Sequence, residues 1–350
     1  MPLITDPQQA RAIYREAQQR RVCLPAFGTE NRDTTEAAFR AVAEVAREHH
    51  IASPPLVVAA TAHYEGRTQL LNYTSLGTAE EGLIALRHDL ERLCRPHGPY
   101  PHIRAMAHLD HGQPEADRRI IEAGLGFFAS VMYDCSALPL PVNISLTKRF
   151  VAEAGARVMV EGAVDEIYES GTGAPRNALT TPEQARRFMA ETGADLIVAN
   201  LGTEHRATAV GAQYHGDRAR EISAAVGPVL VLHGTSSLRD AGLAMLRTDG
   251  IARVNIWTRV EHVAAVGLAR DVIANLGGIL SREEIAELVA QGILTPYFAR
   301  AQSERKPSLD YIANVHRRND VCVPAMVGLM KRCLLECGYA DFAGNPGAQA

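Results

Sequence analysis

The sequence lacks a surplus of positive charge: 36 Lys and Arg stand against 40 Asp and Glu in 350 residues, a net charge of −4. Without spare cations to neutralise a polyphosphate backbone, nucleic acid is not expected as a partner. It also lacks any run approaching the ~18 to 20 apolar residues of a membrane span, and the stretch Met1 to Arg21 is polar and amphipathic with no apolar signal core. No membrane association and a cytoplasmic location are the expectations. Cysteine is sparse: Cys23, Cys94, Cys135, Cys322, Cys333 and Cys337 include no C-x-x-C pair and are too few to staple a chain of this length. They are expected to be reduced and mostly buried. The 28 Gly and 18 Pro are an ordinary share, which excludes collagenous and low-complexity chains, and a hydrophobic fraction of 47% against 22% charged residues supplies a sizeable core.

What is present is alternation. Short apolar, β-branched runs occur at Val22 to Phe27, Leu56 to Thr61, Ile103 to Leu109, Phe127 to Tyr133, Arg157 to Glu161, Leu196 to Leu201, Val229 to Leu232 and Arg253 to Trp257. Between them lie stretches of helical period such as Thr35 to His49, Thr78 to Cys94, Asn143 to Ala154 and Pro182 to Thr192. Several open with helix-start chemistry, as in Thr181 before Pro182 and Glu183, or Asp33 before Thr34 and Glu36. Strands this short and apolar, each followed by a helix, predict a parallel sheet covered on its faces. A doubly wound nucleotide fold would place G-x-G-x-x-G after the first strand, and Ala26, Phe27, Gly28 and Thr29 do not supply it. Eight β-α units instead predict an α/β fold of the (β/α)8 TIM-barrel type over residues 22–276. An N-terminal helix over 1–21 leads into it, and a C-terminal helical extension over 277–350 packs on it.

In such a barrel, function collects where strands end and the next loops begin. Those positions hold Asp110 and His111 after the third strand, Asp134 after the fourth, Glu161 at the end of the fifth, His205 after the sixth, His233 after the seventh and Asn255 in the eighth. Three imidazoles converging from separate strands suit a catalytic Zn2+ site, which takes three protein ligands and keeps one position open. By contrast, His49, His50, His88, His97 and His102 fall on helix faces or in polar loops and are expected to be solvated. Strand alternation groups His108 with Asp110 rather than with His111, which leaves it either packing or supporting the site from behind, with packing favoured.

The sequence resembles the class II, zinc-dependent fructose-bisphosphate and tagatose-bisphosphate aldolases, as a divergent member. The resemblance is carried, in family order, by Leu24-Pro25-Ala26-Phe27, His108-Leu109-Asp110-His111-Gly112, Ser130-Val131-Met132-Tyr133-Asp134, Val160-Glu161-Gly162, Leu201-Gly202-Thr203-Glu204-His205, Leu230-Val231-Leu232-His233-Gly234-Thr235-Ser236 and Val254-Asn255-Ile256-Trp257-Thr258. It implies His111, His205 and His233 as zinc ligands, with Asp134 and Glu161 as acidic residues near the metal. It further implies Asp110 as the catalytic acid/base and Asn255 as an amide at the reacting carbons. Gly234, Ser236 and Thr258 fall where the family holds a substrate phosphate. A homodimer or larger assembly is implied as well.

The departures are equally specific. Ala163 stands where the family has a second carboxylate, and in the loop that carries the family's mobile catalytic Glu, Glu166 and Glu169 both compete for the role. Arg206 replaces a glycine after the second histidine, and Trp257 and Arg259 replace small or acidic residues after the last strand. The two arginines can offer a fork of donors to a substrate anion. The resemblance thus implies aldol cleavage or condensation of a ketose phosphate or related polyhydroxy ketone through a metal-stabilised enediolate. Two further readings use the same residues: another metal-assisted enolate reaction, such as epimerisation or decarboxylation, and a non-catalytic sugar-phosphate-binding barrel.

Overall fold

Eight parallel strands pair in sequence order, and the last pairs with the first, in the computed structural model, which describes residues 3–165, 179–203, 213–235, 238, 242–306 and 308–343. Counting a two-residue β1 (Leu3–Ile4), the barrel strands are β2 (Leu24–Gly28), β3 (Pro55–Ala60), β4 (Arg104–Gly112), β5 (Ser130–Tyr133), β6 (Met159–Ala163), β7 (Leu196–Val198), β8 (Leu230–Leu232) and β9 (Ile251–Ile256). The β4–β5 and β2–β9 pairings complete the ring, so the (β/α)8 expectation holds. All eight expected strands are present, with ends displaced by up to three residues. The strands are short and continuously apolar because both faces are covered, the outside by helices and the inside by side chains. Every residue of Pro55-Leu56-Val57-Val58-Ala59-Ala60, for example, is buried.

β1 was not expected. It pairs with β4 at Leu3↔Ala105 and Ile4↔Met106, below His108, where β5 joins β4. Two residues carry no periodic signal, so this latch is invisible to pattern reading.

Helix starts follow local capping chemistry. Thr181 caps Pro182–Thr192 in a full capping box with Gln184, as its sequence suggests. The helix Arg32–Glu48 is capped instead by Asn31, whose side chain accepts from Thr34 N at 3.1 Å, and Asp33 lies in its first turn.

The chain divides into two compact units, residues 1–258 with 330–350, and residues 259–329. In the first, the C-terminal residues are tied to the barrel. Tyr339 OH donates to Pro55 O at 3.0 Å, Cys23 N donates to Cys337 O at 3.2 Å, and Lys331 pairs with Glu44 and Glu48. The second unit contains the helices Arg282–Ala290, with a Ser281–Glu284 capping box, and Pro296–Ser303, and beyond the latter Ser308 N donates to Gly278 O at 2.8 Å. All six cysteines are free, and five are buried. Among the described residues, no helix is long and apolar enough to cross a membrane.

Candidate active site

The site begins with an irregularity in β4. The ladder to β5 runs from Leu109↔Val131 to Gly112↔Tyr133, so three steps along one strand match two along the other. The extra residue is a bulge at Asp110 and His111, and His111 adopts φ 48°, in the left-handed region that few non-glycine residues enter. Regular alternation would send these neighbours to opposite faces. Here both are 3% exposed and both approach His233: His111 Nε2 lies 3.1 Å from His233 Nδ1, and Asp110 Oδ1 lies 4.0 Å from the same nitrogen. The bulge therefore overrides the period-two expectation and brings acid/base and ligand candidates together from adjacent positions.

Each histidine is oriented by a carboxylate. Asp134, just past β5, bonds His111 Nδ1 at 2.6 Å, while its Oδ1 accepts from the Ser136 hydroxyl at 2.6 Å and the Ser136 N–H at 3.0 Å. Burial raises the Asp134 carboxyl, but its bond to the His111 ring and those from Ser136 outweigh burial and hold it at about 2. The Tyr64 ring stacks on His111 with centroids 4.1 Å apart. His233 Nε2 lies 3.6 Å from Glu161 Oε1 and 3.3 Å from Asn255 Nδ2. Burial depresses His233, which favours the neutral imidazole that a metal ligand must present.

Beneath the histidines lies a fully buried cation that pattern reading did not single out. Arg253, on β9, places Nη2 2.5 Å from Glu161 Oε2 and 3.0 Å from His108 Nε2, and its Nε donates to Asn255 Oδ1 at 3.0 Å. Because a guanidinium only donates, this last bond fixes the Asn255 amide, whose Nδ2 then donates to Asp110 Oδ1 at 3.1 Å. His108 therefore does more than pack: its Nδ1 engages Ser130 Oγ at 2.8 Å, and burial followed by the Arg253 charge lowers it to about 3, keeping it neutral. Burial raises the Glu161 carboxyl, but the Arg253 charge together with the His233 and His108 rings outweighs it, so Glu161 is held below its ordinary value and stays ionised.

Asp110 has its own cation. Arg67, in the loop after β3, sets Nη2 3.3 Å from Asp110 Oδ2. Burial would raise this carboxyl, but the His111 ring, the Arg67 guanidinium and the His233 and His108 rings together outweigh burial and hold it well below the ordinary carboxylate range. Arg67 and Tyr64 sit in a polar loop without periodicity, and nothing in the sequence marked them. Only their place after a strand end could have drawn attention to them.

A small cavity beside Asp110 is lined by Arg67, Gly234, Thr235, Asn255, Trp257 and Thr258, so the three substrate contacts expected of described residues in the first unit surround it with Asp110. The fourth expected contact among described residues, Arg259, belongs to the second unit. On the other flank of His111, a cavity of about 970 Å³ is lined by residues including Tyr64, Tyr133, Asp134, Leu138 and Arg149. Glu166, Glu169, His205, Arg206 and Ser236 lie outside the described residues.

The donor set suits a divalent transition metal. Asp110, His111 and His233, all buried, offer ligand atoms within 4.8 Å of one another. Two nitrogens each ~2.0 Å from a tetrahedral ion stand ~3.3 Å apart, close to the 3.1 Å between the two imidazoles.

A profile of the class II fructose-bisphosphate aldolases matches residues 8–302. The chain belongs to the class II fructose-bisphosphate aldolase family. As an aldolase it is a lyase, and class II members are metal dependent. The D-tagatose-1,6-bisphosphate aldolase subunit GatY of Klebsiella oxytoca is 29% identical over 254 residues, covering 70% of this chain and 79% of that protein. The fold is shared with the crystal structure of fructose-bisphosphate aldolase from Campylobacter jejuni at TM-score 0.70 and 16% identity, over 97% of this chain and 96% of that one. It is also shared with the YdjI aldolase of Escherichia coli K12 at TM-score 0.55 and 20% identity, over 88% and 96%.

Proposed function

We propose that this aldolase is zinc dependent and cleaves, reversibly, a ketose phosphate or related polyhydroxy ketone between its third and fourth carbons. The observation that carries the reading is the convergence of Asp110, His111, His233 and Asn255 in one buried hydrogen-bonded cluster at the C-terminal end of the barrel. His111, His205 and His233 would hold the ion, with Asp134 orienting His111 and Glu161 beside His233. When bound, Zn2+ supplies Lewis acidity that offsets the negative charge of the enediolate. Asp110, ionised beside Arg67, takes the proton of the fourth-carbon hydroxyl. The O–H electron pair forms the new carbonyl as the carbon–carbon bond breaks, and that bond's pair passes to the ketone half. Asn255 holds the Asp110 carboxylate and presents its amide to the reacting carbons. Glu169, or Glu166 in its place, returns a proton to the enediolate carbon. In synthesis Asp110 gives its proton back.

Gly234, Ser236 and Thr258 would contact the substrate's terminal oxygens, with Arg206 and Arg259 supplying charge. Trp257 fills volume beside Asp110, whereas the cavity flanking His111 leaves room for a larger or differently charged half. Fructose 1,6-bisphosphate is therefore expected to be a poor substrate beside some other anionic or larger ketose. Cleavage rates across ketose monophosphates, bisphosphates and non-phosphorylated analogues test this directly. Turnover of fructose 1,6-bisphosphate above all others would contradict it.

A further inference from the structure

Buried donors without acceptors are costly, and one group of them stands beside Asp110. Arg67 is 9% exposed, yet its Nε and Nη2 make no hydrogen bond among the described residues, Nη2 having only the 3.3 Å ion pair with Asp110. The same holds for Gln69 Nε2 and Trp257 Nε1. The Gln69 amide is not misplaced, since its Oε1 accepts from Thr61 N at 2.9 Å, which leaves the NH2 group as the end directed away. Gln69 and Trp257 meet over Gly28, where a Cβ would stand 2.9 Å from Gln69 Nε2, 2.8 Å from Trp257 Cβ and 3.1 Å from Trp257 Cδ1, and Arg67 lines the same cavity as Gly28 and Trp257. Glycine at the end of β2 keeps that space open.

The geometry selects the ligand. Arg67 lies against two aromatic rings, its Cζ 5.4 Å from the Tyr64 centroid and 5.6 Å from that of Trp257, so its edge is the part left to bind. Nε and Nη2 form the side-on edge of a guanidinium, which matches two oxygens of one planar group. Charge then discriminates among oxyanions. One cation, Arg67, already faces Asp110, and Gln69 and Trp257 add donors without charge. A dianionic phosphate would bring two negative charges against Asp110, whereas a carboxylate brings one.

We propose that Arg67, Gln69 and Trp257 form a carboxylate-binding subsite beside Asp110, so that the substrate carries a carboxylate close to the reacting carbons. This rests on the aldolase reading for what the carboxylate is attached to, but not for its binding. Calorimetric titration of the purified protein with glycolate, with inorganic phosphate and with ethylene glycol tests it. Glycolate binds more tightly than phosphate, ethylene glycol does not bind measurably, Arg67→Met weakens glycolate at least tenfold, and Trp257→Phe, which keeps the ring and removes the N–H, weakens it several-fold. Tighter phosphate than glycolate, or glycolate affinity unchanged in Arg67→Met, overturns the proposal. Should Arg67→Met fail to fold, unchanged affinity in Trp257→Phe overturns it alone. Arg67-dependent glycolate binding in a protein that cleaves no ketose would count against the aldolase mechanism and leave the subsite standing.

Discussion

A carboxylate that takes a proton must be ionised at rest, and Asp110 is kept so by Arg67 and the neighbouring imidazoles rather than by solvent. Asp110→Ala is therefore expected to cut turnover ~10²- to 10⁴-fold while leaving bound metal in place. Elemental analysis beside a cleavage assay separates the two effects. His233→Ala should lose both metal and activity. At Arg253 the cost is structural, because removing one partner of a buried ion pair leaves the other unpaired: Arg253→Met should destabilise the fold by ~3 to 5 kcal/mol, with Glu161→Gln in the same chain recovering part of it. Thermal denaturation of the single and double variants measures that recovery, and additive losses would show that the pair is not coupled. At this scale the sequence was legible where residue type and strand position coincide, as for Asp110, His111, His233 and Asn255. It was silent on Arg253, since an arginine opening an apolar strand carries no sign that it turns inward. It was silent on Arg67 and Tyr64, since their neighbours in the loop follow no period.

Elements were the most legible level, because eight apolar runs spaced by helical periods leave few alternatives to a barrel. Their details obey local geometry that periodicity does not encode. The bulge in β4 is the main example: one extra residue turns Asp110 and His111 to the same side, where alternation had parted them. Capping is a second. Asn31, not Asp33, closes the first turn of Arg32–Glu48, so Asn31→Ala should cost ~0.5 to 2 kcal/mol and more than Asp33→Ala. Chemical denaturation midpoints of the two variants decide between the cap seen in the structure and the one suggested by the sequence. β1 lies below the threshold of any pattern, yet it occupies the edge of β4 that β5 does not reach.

For the whole molecule, the expected surface for assembly lies on the second unit, where Tyr297 and Leu309 are 89% and 81% exposed and Ile293 and Ile312 also face outward. A homodimer or larger assembly should appear in light scattering, and Leu309→Asp with Tyr297→Asp should reduce its mass toward that of one 37.9 kDa chain. In the first unit, the proposed metal ligands and proton-transfer groups share one hydrogen-bonded network. The most direct test is ketose cleavage by the purified protein before chelation, after chelation and after Zn2+ is restored, with Asp110→Ala run in parallel. At least one ketose should be cleaved in a reaction that chelation abolishes and Zn2+ restores, with little cleavage by Asp110→Ala at any stage. Cleavage that persists unchanged in the chelated protein, or that Asp110→Ala retains in full, would contradict it.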